Sequence, residues 1–225
     1  MYQRYAVFNT PQPGAFHDFG AAWLGWNSAT GTPRDHPDFP DLNLDLLTKK
    51  PRPYGLHATL KAPFYLSPRC SVDRLKSAFE NLCAAHKPVT LDALALVYQH
   101  GFIALRPTTN SETLMDLESA VVRTLDPCRA PLSQAALTKR RAARLTDRQD
   151  AHLLKWGYPY VMQDYQFHIT LTGRLKPELA ELVQQALAPR LAAFLAQPYR
   201  LDALSLMGED ENGFFHLIER RKLGL

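Results

Sequence analysis

Two short stretches, His57-Ala58-Thr59-Leu60 and His168-Ile169-Thr170-Leu171, decide the fold because they read as one strand written twice. Side chains alternate between the two faces of a strand, so each imidazole shares a face with its threonine while the apolar pair occupies the opposite face. One face is therefore polar and the other packs against a core. We expect the two strands to border a common cleft.

The repetition extends beyond these stretches, as an internal repeat requires. Residues 91–96 read LDALAL and residues 201–206 read LDALSL, at nearly equal distances after the two histidines. Tyr54 and Tyr165 each stand three residues before a histidine. Both tyrosines are candidates either to flank the cleft or to fill equivalent packing positions in two related lobes.

Each copy is predicted to form a strand, a helix and a hairpin in that order, from the spacing of its apolar residues and turn formers. A mainly helical connection joins the copies. The predicted strands are Arg4–Phe8, Tyr54–Leu66, Val89–Val97, Phe102–Arg106, Phe167–Thr172, Tyr199–Met207 and Phe214–Arg221. The predicted helices include one beginning after Ser71, one carrying Leu114 to Leu125, a stretch around Gln134–Lys155, and Pro177–Leu195.

The composition is that of an ordinary soluble globular protein, with 46% hydrophobic and 21% charged residues in 225. No apolar run approaches the length of a membrane span, which predicts a cytoplasmic protein without a membrane partner. The formal charge of +4 favours anionic ligands slightly but is too small to identify a nucleic-acid binder. The oligomeric state is not predicted.

Three cysteines, Cys70, Cys83 and Cys128, lack paired metal-type spacing, and we expect them to be buried free thiols. Basic residues cluster between Lys139 and Arg148. A solvated helix face is the favoured interpretation of this basic segment, with an RNA-contacting patch as the alternative.

Paired imidazoles suit a reaction that removes one proton and delivers another at a single phosphorus centre. Histidine titrates near ~6.5, so one ring can act as base while its partner, raised by a nearby phosphate, acts as acid. The hydroxyls of Thr59 and Thr170 can donate to phosphate oxygens. No Cys or carboxylate cluster accompanies the histidines, so no metal or other cofactor is expected.

Further candidates for substrate contacts lie beside the two motifs. Lys61 continues the alternation of His57 and Thr59, where a cation would stabilise transition-state charge. A lysine at the strand edge, in solvent, is the alternative. Tyr158 and Tyr160 belong to an aromatic stretch just before the second motif, where core packing is the alternative to ligand contact.

The paired His-x-Thr-x motifs resemble those of the two-histidine (2H) phosphoesterase superfamily, and the surrounding residues 54–64 and 156–160 resemble an uncharacterised bacterial branch often encoded beside phosphonate-breakdown genes. The resemblance implies an α+β bilobal fold: two pseudo-symmetric lobes of antiparallel strands, helices packed outside, and a central cleft. We expect one domain over residues 1–225, with a first repeat at about 54–106, a helical connection at about 107–157 and a second repeat at about 158–221. It also implies that His57 and His168 form the acid/base pair, without allotting the two functions.

The leading hypothesis is therefore a metal-independent enzyme that hydrolyses a cyclic phosphodiester, either a 2′,3′-cyclic nucleotide or a cyclic sugar phosphate. Its partner would be a small phosphorylated molecule or nucleotide. A non-catalytic phosphate- or nucleotide-binding module is one alternative, since a pocket does not guarantee chemistry. RNA-end processing is another, and it would predict salt-sensitive RNA binding through the basic segment.

Overall fold

A computed structural model describes residues 2–109 and 111–224. Its strands are β1 (Arg4–Asn9), β2 (Trp26–Asn27), β3 (Thr32–Pro33), β4 (Ala58–Phe64), β5 (Val89–Gln99), β6 (Phe102–Pro107), β7 (Ile169–Thr170), β8 (Pro198–Leu201), β9 (Ala203–Glu209) and β10 (Phe215–Lys222). Its α-helices are α1 (Ala15–Leu24), α2 (Leu44–Thr48), α3 (Val72–Ala85), α4 (Glu112–Leu125), α5 (Gln134–Arg141), α6 (Asp147–Trp156) and α7 (Pro177–Leu195).

Within the described residues, eight strands form one sheet in the order β10-β9-β1-β4-β7-β6-β5-β8, and every neighbouring pair is antiparallel. The two histidine-bearing segments, β4 and β7, are central neighbours. The hairpin of the first repeat, β5 and β6, lies beside β7, whereas β9 of the second repeat reaches β4 through β1. The hairpin of the first repeat thus extends the sheet on the His168 side, and the hairpin of the second repeat extends it on the His57 side.

One face of this sheet carries the main core. Ala58, Leu60, Ile169 and Leu171 are buried there together with the apolar stripes of α3, α4 and α7. Alternation along β4 and β7 makes this packing possible, since the residues between the apolar ones point to the other face. The predicted α+β class, with antiparallel strands and helices packed outside, is confirmed.

The helix predictions differ from the structure mainly in the connection between the repeats. The helix Pro177–Leu195 has the predicted bounds and begins with proline in its first turn, where the missing N–H leaves no bond unmade. The single stretch predicted around 134–155 is instead two helices, α5 and α6. Arg144 takes a positive φ between them, and Thr146 starts α6 with a capping box.

Two strands predicted for the second repeat are longer than the strands that the structure contains. The segment Phe167–Thr172 pairs as a strand only at Ile169–Thr170. The segment Tyr199–Met207 divides at Asp202, because β8 pairs with β5 on one edge while β9 pairs with β1 and β10 on the other. Because its two parts pair with different halves of the sheet, the segment is interrupted at Asp202.

The cysteine prediction was correct for Cys83, a buried free thiol, and wrong for the other two. Cys70 and Cys128 form a disulfide across a sequence separation of 58 residues. Backbone pairing brings them together: Ser67 N–H donates to the Cys128 carbonyl at 2.9 Å, and Leu66 bridges Arg129. The cytoplasmic location remains a prediction.

Among the residues that the structure describes, no helix has both the length and the apolar character that a membrane span needs.

Candidate active site

The register between the two central strands assembles the candidate site. Ala58 pairs directly with Ile169. Continuing this antiparallel register by one residue in each direction sets His57 opposite Thr170 and Thr59 opposite His168. Directly opposed side chains share a face, so all four polar groups lie on the side away from the main core. Each of the four is half-buried.

The two imidazoles are held in the same way. His57 Nδ1 lies 3.0 Å from the Gly55 carbonyl oxygen, and His168 Nδ1 lies 2.7 Å from the Gln166 carbonyl oxygen. A carbonyl only accepts, so both rings donate from Nδ1 and leave Nε2 for the cleft. His57 Nε2 is 3.2 Å from the Thr59 hydroxyl. The two copies of the repeat therefore hold their histidines in the same tautomer.

Aromatic side chains enclose the His57 ring. The Phe8 ring centroid is 4.0 Å away, and Tyr54 stacks on the imidazole at 5.5 Å with an interplanar angle of 13°. Burial lowers the pKa of His57 to about 4, although the Gly55 carbonyl opposes the shift; the nearby His168 lowers it further. His57 is consequently neutral at pH 7, and its Nε2 lone pair faces the Thr59 hydroxyl.

His168 has a more polar environment. Burial again lowers its pKa, the Gln166 carbonyl opposes that shift, and electrostatic repulsion from Arg106 and the nearby His100 adds to the lowering. The Phe102 ring centroid lies 6.0 Å from the imidazole. The polar neighbours distinguish His168 from the aromatic enclosure of His57.

Arg106 is a candidate site residue that the sequence analysis missed. β6 pairs with β7 through Leu105 and Ile169, both on the core face, so the next residue in register sets Arg106 beside His168 on the cleft face. Its guanidinium donates to Gln166 Oε1 at 2.7 Å. The alternation of Ile103 and Leu105 with Arg106 in the sequence indicates the face of β6 on which Arg106 lies. The sequence does not indicate that β6 pairs with β7.

Lys61 does not share the face of His57, and this expectation was wrong. Register shifts interrupt the pairing of β1 with β4, so that Val7 of the core face lies opposite Lys61 while Phe8 lies opposite Thr59. The Lys61 side chain is buried and donates to the Val122 carbonyl at 3.0 Å, with Asp126 at 3.4 Å. Burial lowers its pKa to about 8, against the attraction of Asp126. It is therefore neither a cleft cation nor a lysine in solvent.

The four candidate tyrosines lie in different surroundings. Tyr54 flanks the cleft by stacking on His57, whereas Tyr165 packs beside the core with its hydroxyl buried and unbonded among the described residues. Tyr158 packs against the small cluster of Val122, Val161 and Met162, and Tyr160 is exposed with its ring 5.6 Å from that of Tyr158. The repeated position of Tyr54 and Tyr165 thus does not give them equivalent environments.

Two of the five basic residues in the segment are paired with acids. Arg141 forms an ion pair with Asp150, and Arg148 forms one with Asp164, each at 2.7 Å. These two pairs favour the solvated helix face over the RNA-contacting patch. Arg140 differs, because its guanidinium lies 5.0 Å over the ring of Tyr158.

In the described part of the chain, no group of three or more His, Cys, Asp or Glu side chains is placed to hold a metal ion. The site brings together two imidazoles, two hydroxyls and one guanidinium on the same face of the sheet.

Two adjacent His-x-Thr segments at the centre of an antiparallel sheet, with helices packed on its core face, define a protein of the α+β class. The chain belongs to the family described as "Protein of unknown function (DUF1045)", whose model matches residues 59–216. That match spans both threonines, His168 and the β5–β6 hairpin of the first repeat.

Curated relatives carry the name "Ribose 1,5-bisphosphate phosphokinase PhnN". The protein of Janthinobacterium sp. (strain Marseille) is 36% identical over 93% of this chain and 48% of its own length. The protein of Laribacter hongkongensis (strain HLHK9) is 32% identical over 93% of this chain and 49% of its own. The chain thus spans about half the length of these relatives.

Solved structures with a similar outline share little sequence. E. coli LigT complexed with 3′-AMP is 12% identical, covers 100% of both chains and gives a TM-score of 0.45. TT0787 of Thermus thermophilus is 14% identical, covers 98% of both chains and also gives 0.45. Likeness at this level carries no inference about activity.

Proposed function

We propose that this chain is a metal-independent phosphoesterase that hydrolyses a cyclic phosphodiester between His57 and His168. The observation that carries the proposal is the matched pair of imidazoles, each donating Nδ1–H to a backbone carbonyl and each sharing its face with a threonine. Of the two fixed rings, a neutral one accepts a proton at Nε2 and a protonated one donates a proton from Nε2. Those are the two proton transfers that hydrolysis of a phosphodiester requires.

His57 is assigned as the base. Its aromatic enclosure disfavours the charged ring and lowers its pKa to about 4, so Nε2 accepts a proton from water without first losing one. His168 is assigned as the acid, because it lies outside the aromatic enclosure that disfavours charge on His57, and an anionic phosphate beside it raises its pKa.

The atoms balance in one displacement. His57 Nε2 takes a proton from water as the water oxygen attacks phosphorus. The bond between phosphorus and one ring oxygen breaks, and His168 Nε2 donates its proton to that oxygen. The product is a phosphomonoester. Thr59 and Thr170 donate to the non-bridging oxygens, and Arg106 stabilises the charge that grows on them, an effect worth roughly 10²- to 10³-fold in rate for one well-placed donor.

A cyclic ribose phosphate is the preferred substrate class. The curated relatives are named for ribose 1,5-bisphosphate, and this chain matches about half of their length. A phosphoesterase segment in such proteins would act on a related sugar phosphate. The resemblance to a branch encoded beside phosphonate-breakdown genes supports the same class.

The test is release of a phosphomonoester from a panel of 2′,3′-cyclic nucleotides and cyclic ribose phosphates, followed by ³¹P NMR in the presence of EDTA. We expect turnover that the chelator leaves unchanged and that His57→Gln and His168→Gln each remove. Tight binding without turnover across the panel would favour the non-catalytic binding module. Activity lost in EDTA and restored by Zn²⁺ or Mn²⁺ would overturn the mechanism.

A further inference from the structure

A second basic residue is not used by the chemistry proposed above. Arg140 stands in the last turn of α5, half-buried, with its guanidinium 5.0 Å over the ring of Tyr158. Both side chains line a cavity of about 280 Å³, which Arg4 and Tyr65 also border. Neither histidine lines this cavity, so it is separate from the position of the reacting phosphate.

The other three cations that line the cavity have carboxylate partners, with Lys61 and Arg129 sharing Asp126, whereas Arg140 has none among the described residues. Arg4 is held by the Glu209 carboxylate through two hydrogen bonds, and Arg129 pairs with Asp126 at 2.7 Å. Among the described residues, no carboxylate forms an ion pair with Arg140; its recorded partner is an aromatic face. A guanidinium that has lost water without gaining a counter-charge binds an anion favourably, and its planar donors match two phosphate oxygens.

The cavity lies on the same face of the sheet as the candidate active site. Arg4, which borders the cavity, alternates along β1 with Ala6 and Phe8, and the Phe8 ring centroid is 4.0 Å from that of His57. A ligand that reaches both positions carries anionic groups at two ends.

We propose that Arg140 and Tyr158 form a subsite for a second phosphate group on the substrate. This inference rests on the proposed function and narrows it: the substrate is a cyclic phosphodiester on a ribose that carries another phosphate at its 5′ position. Arg140 holds the second phosphate, Tyr158 orients the guanidinium beneath it, and the distance between the two subsites selects bisphosphorylated substrates.

The test compares two substrates that differ only in the second phosphate, adenosine 2′,3′-cyclic phosphate with and without a 5′-phosphate. We expect wild type to favour the 5′-phosphorylated substrate in kcat/KM. Arg140→Gln should reduce that preference about 10- to 100-fold, mainly through KM, as loss of a charge-assisted contact implies. The control is Arg141→Gln, which removes the neighbouring exposed arginine paired with Asp150 and should leave the preference within about two-fold.

Binding separates failure of this inference from failure of the proposed function. Calorimetric titration with adenosine 3′,5′-bisphosphate and with 3′-AMP needs no turnover. If neither cyclic substrate is hydrolysed but wild type prefers the bisphosphate and Arg140→Gln loses the preference, the subsite stands and the phosphoesterase proposal falls. Equal preference in wild type and a folded Arg140→Gln, verified by circular dichroism, would overturn the subsite whatever the activity.

Discussion

Ala58 pairs with Ile169 across the centre of the sheet, and this contact places two distant parts of the chain in one site. Both side chains are fully buried on the core face. Each follows a histidine in sequence, so burial of the apolar pair turns both imidazoles to the opposite face. Packing that stabilises the fold thereby also orients the groups that we assign to chemistry.

The first prediction concerns the pH dependence of kcat/KM. His57 must be neutral and its pKa is about 4, so activity should rise with an apparent pKa near that value. His168 must be protonated and its pKa lies below the usual 6.5, so activity should fall again before pH 6.5. We expect a bell with its optimum on the acid side of the ordinary histidine pKa, its limbs belonging to the pair. A rate that stays level from about pH 5 to 9 would contradict paired-histidine catalysis.

The second prediction concerns coupling between the rings. His57→Ala and His168→Ala should each lower kcat roughly 10²- to 10⁴-fold, the range for positioned acid and base groups. The double variant should lose much less than the product of the two, because either deletion already prevents the paired proton transfer. Single-turnover kinetics of the four proteins measures this. Fully multiplicative losses would mean that the histidines act independently.

Much of this arrangement could be predicted from the sequence, because it depends on local patterns. Alternation in the two tetrads indicated which side chains share a face, and the repeat placed the same group on two strands. The long helix Pro177–Leu195 followed from its apolar spacing and its proline at the start.

The predictions failed where pairing between segments far apart in the sequence determines the position of a side chain. Lys61 obeys alternation in sequence, but a register shift against β1 turns it into the protein. Arg106 joins the site only because the first repeat's hairpin pairs with the second repeat's strand. The disulfide between Cys70 and Cys128 likewise depends on backbone contacts between segments far apart in the chain.

The third prediction uses Arg106 and Lys61 as a matched pair of cation deletions. Arg106→Gln should lower kcat about 10²-fold or more, because the guanidinium lies on the face of His168 where charge develops. Lys61→Met should instead act on stability, since it leaves Asp126 short of a buried partner, at a cost of roughly 1–3 kcal/mol. Steady-state kinetics and urea unfolding of both variants check this. A folded Lys61→Met enzyme with a selective loss of kcat would return the lysine to the site.

The last prediction concerns two buried groups whose effects on stability oppose each other. The pKa of His57 falls from 6.5 to about 4 on folding, so its neutral form is favoured and stability is lost as pH decreases from 6.5. Glu118 is buried on α4 and accepts from the Met162 N–H at 2.9 Å. Burial raises its pKa from 4.5 to about 7, so its neutral form is favoured and stability is lost as pH rises from 4.5.

Single variants should separate the two slopes. Relative to His57→Gln, wild type should gain on the order of 3 kcal/mol in free energy of unfolding between pH 4 and 6.5. Relative to Glu118→Gln, wild type should lose a similar amount, again on the order of 3 kcal/mol, between pH 4.5 and 7. The two trends largely cancel in wild type, so its urea midpoint should change less with pH than that of either variant. Parallel pH profiles for all three proteins would show that neither group titrates with a shifted pKa in the folded chain.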